Sequence, residues 1–181
     1  MNTWACLLKI FGWKVEITAP RESKCVICVA PHTSNWDFIL GLAAYKSLGR
    51  KANFLMKKFW FFFPLKYLLK SLGGIPVDRK DKTKSLTSEV IELFNKESYV
   101  NLAVTPEGTR SNNPNWKTGF LYIAKGASVP IQLGIIDYKN KKIIIDKQIY
   151  PSDNVDSDLR EVKEFYSQFP EAAKYPDKFS L

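Results

Sequence analysis

The sequence predicts a single α/β domain in which helices flank a largely parallel sheet, with a hairpin towards the C-terminus. Short apolar runs alternate along the chain with segments of helical periodicity, which is typical of this class. The 181 residues, of which 45% are hydrophobic, are enough for one domain with a substantial core. No linker, internal repeat or low-complexity segment interrupts the alternation. We therefore expect one domain over residues 1–181.

The first half of the chain begins with an amphipathic segment. Residues 1–13 predict a short helix that ends at Gly12, and either core packing or contact with a membrane surface explains its apolar face. That face comprises Trp4, Leu7, Leu8 and Phe11. A predicted helix over 35–48 ends at Gly49, and Gly73-Gly74 predicts a turn. The predicted strands of this half are 15–18, 25–30, 53–56 and 75–77.

The second half continues the alternation and closes with a hairpin. Helical periodicity over 83–96 is followed by a buried strand over 99–104, a polar loop and a short helix up to Gly126. The predicted strands 129–136 and 142–149 flank a turn-like tetrapeptide and so form the hairpin. A last helix is predicted over 155–169.

Composition limits the classes of partner and the compartment. The net charge of +9 and the pI near 9.4 indicate an acidic partner: nucleic acid, an anionic membrane surface or a phosphorylated substrate. The aromatic content of 14% favours a partly apolar one. Three cysteines form no disulfide framework, and Cys25 and Cys28 lie in a strand-like run where buried apolar roles are usual. Neither a spanning segment nor a signal peptide is evident, so we expect a cytoplasmic protein.

One loop holds the only histidine of the chain. His32 follows the apolar strand 25–30, and Asp37 comes five residues later. Ser34 fits the N-cap of the next helix, with Asp37 at the third helical position as in a capping box. His32 then lies in the preceding loop and can fold back towards the carboxylate, which suits a general base. The alternative is an ordinary loop histidine beside a carboxylate that only caps the helix. A single histidine gives little reason to expect a metal site.

Two further loops follow predicted strands and carry arginine. Arg79 comes after strand 75–77, and Glu107, Gly108, Thr109 and Arg110 come after strand 99–104. Ligands of open α/β sheets bind outside the carboxyl ends of strands, where glycine permits close approach and arginine matches a phosphate. A surface turn with a Glu–Arg ion pair is the alternative for the second loop.

These residues occur within a pattern of four blocks that resembles the glycerolipid acyltransferases, and the 1-acyl-glycerol-3-phosphate acyltransferases in particular. The blocks span residues 30–131 in the family's order and approximate spacing. They are His32-x4-Asp37, Gly73-Gly74-Ile75-Pro76-Val77-Asp78-Arg79, Glu107-Gly108-Thr109-Arg110-Ser111 and Val129-Pro130-Ile131.

The resemblance implies transfer of a fatty acyl group from acyl-CoA or acyl carrier protein to the hydroxyl of a lysophospholipid such as 1-acyl-glycerol-3-phosphate. It implies that His32 is the general base and that Asp37 orients it. It further implies that Arg79 and Arg110 bind the acceptor's phosphate, while Glu107, Gly108 and Thr109 complete that substrate site. No bound cofactor and no metal are expected.

Aromatic and basic side chains interleave over residues 54–70, a composition that suits either core packing or the headgroup region of a bilayer. We expect peripheral contact with an anionic membrane through Trp4, Phe11, Lys57, Lys58, Trp60 and Phe61. Two other functions fit part of the sequence. An inactive lipid- or membrane-surface-binding protein keeps the aromatic and basic surface without catalysis. A basic nucleic-acid-binding domain explains the charge, but no fold signature of that class is present, so nucleic acid is not an expected partner.

Overall fold

The computed structural model describes residues 2–78 and 85–181. Arg79, the predicted phosphate ligand, lies outside the described residues, as does the start of the predicted helix 83–96. Seven strands and six α-helices occur in the described ranges. The strands are β1 (Lys14–Ile17), β2 (Lys24–Val29), β3 (Asn53–Lys57), β4 (Gly74–Val77), β5 (Val100–Val104), β6 (Ile131–Asp137) and β7 (Lys142–Ile149). The helices are α1 (Thr3–Ile10), α2 (Asn35–Ser47), α3 (Leu65–Ser71), α4 (Leu86–Lys96), α5 (Gly119–Gly126) and α6 (Val155–Ser167).

All seven strands join one sheet in the order β1-β7-β6-β2-β5-β3-β4. The run from β6 to β4 is parallel, β6 and β7 form an antiparallel hairpin, and β1 pairs parallel to β7. The predicted single α/β domain with a largely parallel sheet and a hairpin is thus confirmed. The carboxyl ends of β2, β3, β4, β5 and β6 consequently meet at one edge of the sheet, which we call the carboxyl edge.

The sheet is buried on both faces, which explains why its central strands are continuous apolar runs. Val26 and Cys28 of β2 face the core formed with α4, α5 and α6. Cys25 and Ile27 face the opposite side, where Tyr45 of α2 packs. Burial raises the pKa of both cysteine thiols to about 12, so they act as small apolar residues rather than reactive thiols.

Most predicted boundaries differ by one or two residues from those of the structure. β6 begins at Ile131 rather than at residue 129, because Pro130 has no N–H to give to a strand ladder. The turn between α3 and β4 requires Gly73, whose φ is +100° and whose Cβ, if present, would lie 2.0 Å from the carbonyl oxygen of Ala52. The Gly-Gly sequence therefore marks a turn, as predicted.

The N-terminal helix packs on α2 and does not present one apolar face to solvent. Leu8 is buried, and Trp4 is half-buried beneath Lys46, whose Nζ lies 5.2 Å from the centre of the ring. Phe11, in contrast, is exposed beyond the end of the helix. The four residues of the predicted apolar face therefore differ in burial: Trp4 and Leu8 pack inwards, whereas Leu7 and Phe11 are exposed, Phe11 because the helix ends before it. Within the described ranges, no helix is long and apolar enough to cross a bilayer.

Candidate active site

His32 lies at the carboxyl edge, in the loop between β2 and α2. Ser34 is the N-cap of α2 and forms a reciprocal capping box with Asp37 at the third helical position. The chain before the cap folds back, so that Nδ1 of His32 lies 3.1 Å from Oδ2 of Asp37. The structure thus contains the local geometry that the capping-box pattern predicted.

The Asp37 carboxylate is held by donors on both oxygens. Its Oδ2 accepts the backbone N–H groups of Thr33 and Ser34, each at 2.9 Å, in addition to facing the imidazole. Its Oδ1 accepts the hydroxyl of Tyr138 at 2.6 Å. A carboxylate on Nδ1 favours the tautomer that carries the proton there and leaves Nε2 free to accept one. Within residues 2–78 and 85–181, Nε2 has no hydrogen-bond partner.

Glu107 contacts the backbone of the same loop. Its side chain is 2% exposed, and its Oε1 accepts the backbone N–H of His32 at 2.9 Å. Its Oε2 has no hydrogen-bond partner among the described residues, and burial raises its pKa to about 7. The predicted substrate residue therefore supports the backbone of His32. No local pattern indicates this contact, because it joins residues 75 positions apart.

The other residues of the second loop are exposed. Gly108 has a φ of +68°, and the hydroxyl of Thr109 accepts the N–H of Ser111 in a local turn. The guanidinium of Arg110 donates to the side-chain oxygen of Asn35, the first residue of α2. Arg110 therefore lies beside the His32 loop, with a cationic group at the surface.

A cavity of about 870 Å³ opens beside His32 and Asp37. The His32 side chain is 18% exposed and forms part of the lining, while α2 and β3 contribute apolar side chains. Phe38, Tyr45 and Phe54 are among them. Because Tyr45 is eight residues beyond Asp37, the cavity follows α2 for roughly 12 Å. Its volume and its mostly apolar lining suit a long apolar group.

The segment of residues 57–70, which we call the aromatic-basic segment, follows β3 from the carboxyl edge. Lys57, Lys58 and Trp60 are exposed as predicted, whereas Phe61 is half-buried. Phe59 and Phe63 are 80% and 75% exposed, although the prediction did not single them out. Phe62, Tyr67 and Leu68 are also exposed. Exposed apolar groups of this number mark an interaction surface rather than part of the core.

Tyr138 lies in the predicted hairpin turn, and the turn pattern does not indicate its contact with Asp37. The available signal was its position directly after β6, whose carboxyl end lies at the same edge as His32. In the part of the chain that the structure describes, no group of three or more His, Cys, Asp or Glu residues could hold a metal ion.

Comparisons with known proteins agree with the fold and with the motifs. A family model described as Acyltransferase matches residues 14–133, a range that contains His32, Asp37, Glu107 and Arg110. The fold is similar to that of the 1-acyl-sn-glycerophosphate (LPA) acyltransferase PlsC from Thermotoga maritima, with a TM-score of 0.65 and 18% sequence identity. This similarity covers 91% of the present chain and 74% of the PlsC chain. Among curated proteins no sequence match is found. The chain belongs to the acyltransferase family, as its four motifs predicted.

Proposed function

We propose that this protein transfers a fatty acyl group from acyl-CoA or acyl carrier protein to the hydroxyl of a lysophospholipid such as 1-acyl-glycerol-3-phosphate. One observation carries the proposal: Nδ1 of His32 lies 3.1 Å from Asp37, and both residues line a large apolar cavity. A base beside an apolar cavity suits a reaction between a polar hydroxyl and an acyl chain. PlsC, whose fold is similar, is a 1-acyl-sn-glycerophosphate acyltransferase, which agrees with this acceptor.

In the proposed reaction, Nε2 of His32 removes the proton of the acceptor hydroxyl as its oxygen attacks the thioester carbonyl carbon. A C–O bond forms, and the carbonyl electron pair moves onto oxygen. The tetrahedral intermediate then re-forms the carbonyl and breaks the C–S bond. The imidazolium returns its proton to the departing thiolate, which leaves as a thiol. Asp37 keeps Nδ1 protonated and stabilises the imidazolium throughout.

We assign the acceptor's phosphate to Arg110, which lies at the carboxyl edge, together with Arg79. Arg110 is exposed beside the first turn of α2, so its guanidinium can meet a headgroup close to His32. Arg79 belongs to the same proposal through the motif that it shares with the family. A phosphate bound there leaves the acceptor hydroxyl near Nε2 and directs the apolar part of the lipid away from the charges.

We further propose that the protein binds peripherally to the cytoplasmic face of an anionic membrane. The net charge of +9 attracts such a surface, and the aromatic-basic segment supplies both lysines and exposed aromatic rings. The cysteines are free thiols, which agrees with a reducing compartment. Because β3 ends at the carboxyl edge, docking of this segment brings the cavity towards lipid-borne acceptors.

Acyl transfer to vesicle-borne acceptors tests the proposed activity. Purified protein is incubated with phosphatidylglycerol vesicles, an acceptor, and radiolabelled palmitoyl-CoA or palmitoyl-acyl carrier protein in separate arms. The acceptor panel contains 1-acyl-glycerol-3-phosphate, lysophosphatidylcholine and monoacylglycerol. We expect transfer with the first, and a loss of about 10²–10⁴-fold in kcat for His32→Ala because the base is removed.

The chain has no second histidine, so Tyr150→Ala at the opposite edge of the sheet serves as the control and should retain full activity. Vesicle binding without transfer to any acceptor would favour the lipid-binding protein over the enzyme. Transfer by His32→Ala at the wild-type rate would remove the general base from the mechanism.

Vesicle sedimentation tests the membrane surface separately. Phe59→Ser combined with Phe63→Ser should weaken binding to phosphatidylglycerol vesicles, because these are the most exposed aromatic rings of the segment. Tyr122→Ser combined with Tyr150→Ser changes two exposed rings elsewhere and should not. High salt should weaken binding of the wild type. Equal binding by both double variants would contradict this docking surface.

A further inference from the structure

We propose that Tyr138 is a positioning residue for Asp37 and that the C-terminal segment, residues 171–176, holds it in place. The inference rests on the proposed function, because it concerns the same His–Asp pair. Both Tyr138 and the C-terminal segment lie outside residues 14–133, the range that matches the family model. The support therefore comes from this chain's own geometry.

The hydroxyl of Tyr138 donates to Oδ1 of Asp37 at 2.6 Å. Among the described residues, this is the one hydrogen bond that Oδ1 accepts. Oδ2 faces the imidazole and two backbone N–H groups instead. Burial and the adjacent Asp37 raise the pKa of the Tyr138 phenol well above its usual range, so the group remains a donor at any working pH. The ring packs edge-on against Trp13, with the ring centres 5.2 Å apart.

The C-terminal segment contacts both Tyr138 and the His32 loop. The backbone N–H of Tyr138 donates to the carbonyl of Ala172 at 2.9 Å, and the N–H of Tyr175 donates to the hydroxyl of Thr33 at 3.2 Å. Between them, Nζ of Lys174 lies 5.6 Å from the ring centre of Trp36 and 5.9 Å from that of Tyr138. The segment thus ties two residues that precede Asp37, Thr33 and Trp36, to the tyrosine that holds it.

The two oxygens of Asp37 consequently have separate tasks. Oδ2 meets the imidazole, and the Tyr138 hydroxyl fixes the rotation of the carboxylate through Oδ1. Loss of that donor leaves the carboxylate free to turn, and the preference of the imidazole for a proton on Nδ1 weakens. This affects the step in which positive charge develops on His32, and it leaves substrate binding unchanged.

Tyr138→Phe tests the inference, because it removes the hydroxyl and keeps the ring that packs on Trp13. We expect kcat for acyl transfer to fall about tenfold, as one hydrogen bond to a charged group is lost, while KM for donor and acceptor stays within twofold. Tyr150→Phe is the matched control, since its hydroxyl lies at the opposite edge and accepts from the side chain of Gln148. Its kcat should equal that of the wild type.

The single histidine allows a second readout that needs no activity. The ¹⁵N chemical shifts of the neutral imidazole show which nitrogen carries the proton, and they report His32 alone. We expect the proton mainly on Nδ1 in the wild type and in Tyr150→Phe, with a measurable shift towards Nε2 in Tyr138→Phe. An unchanged kcat, a fall in kcat with an unchanged tautomer, or an equal change in KM overturns the inference. Failure of the wild type to transfer an acyl group counts against the proposed function, and the tautomer still decides the role of Tyr138.

Discussion

The loops that follow β2 and β5 lie side by side at the carboxyl edge, yet they are built differently. In the first, Asp37 takes most of its hydrogen bonds from residues within five positions, and the capping box fixes its place. In the second, Glu107 reaches back to the first loop, while Thr109 and Arg110 remain exposed. A His–Asp pair with fixed geometry thus lies next to a surface that is open to solvent. We expect substitutions in the first loop to alter kcat and those at the exposed end of the second to alter KM.

Asp37→Asn should have a larger effect on kcat than either Glu107→Gln or Arg110→Gln in the second loop. The Asp37 carboxylate accepts hydrogen bonds from the imidazole, two backbone N–H groups and a phenol, and an amide cannot accept all four. The substitution therefore removes the contact that orients His32 and favours a proton on Nδ1. We expect kcat to fall about 10²–10⁴-fold with a much smaller change in KM. Steady-state transfer assays measure both constants. Asp146→Asn, on the exposed side of β7, is the control.

Retention of more than a tenth of the wild-type kcat in Asp37→Asn would break the comparison between the loops. The carboxylate would then act mainly as a helix cap, and a loss of stability alone would follow from the substitution.

Glu107→Gln should have a smaller effect than Asp37→Asn. We expect it to change how the free energy of unfolding depends on pH. The pKa of about 7 lies above the usual value of 4.5, so the folded protein binds this proton more tightly than the unfolded chain. The stabilisation is therefore fully present below about pH 4.5 and is lost as pH rises through about 7. The neutral amide of the glutamine does not titrate, so the substitution removes this pH-dependent part of the stability, which amounts to at most about 3 kcal/mol. The amide oxygen can still accept the N–H of His32.

Urea unfolding at pH 5 and at pH 8 measures this difference. We expect the wild type to lose more free energy of unfolding between the two pH values than Glu107→Gln loses. Glu97→Gln, an exposed substitution just after α4, should behave as the wild type. Identical pH dependence in all three proteins would show that Glu107 does not titrate in this window.

The two loops also differ in how far the sequence predicted them. The capping box spans four residues, so the approach of His32 to Asp37 followed from local backbone geometry. The contact between Glu107 and His32 joins residues 75 positions apart, and that between Tyr138 and Asp37 joins residues 101 apart. Such contacts depend on strand order, which alternating strands and helices do not specify. The fold class and the hairpin were predictable because they rest on local periodicity. Which side chains of α1 are buried depends instead on how that helix packs against α2.

Arg110→Gln should have the smallest effect on kcat and the clearest effect on specificity. The guanidinium is exposed at the start of α2, away from the hydrogen bonds that fix Asp37, so the substitution should leave the His–Asp geometry intact. We expect KM for 1-acyl-glycerol-3-phosphate to rise several-fold, because one charge-assisted contact to phosphate is lost, with kcat within about twofold. KM for monoacylglycerol, which has no phosphate, should not change.

Arg21→Gln, also exposed but before β2 at the opposite edge, removes the same charge from the protein and should leave both constants unaltered. Two outcomes would contradict this assignment: equal rises in KM for the two acceptors, or equal effects of the two arginine substitutions. Either would mean that Arg110 contributes only to the general positive charge of the protein. The exposed end of the second loop would then not be the phosphate site.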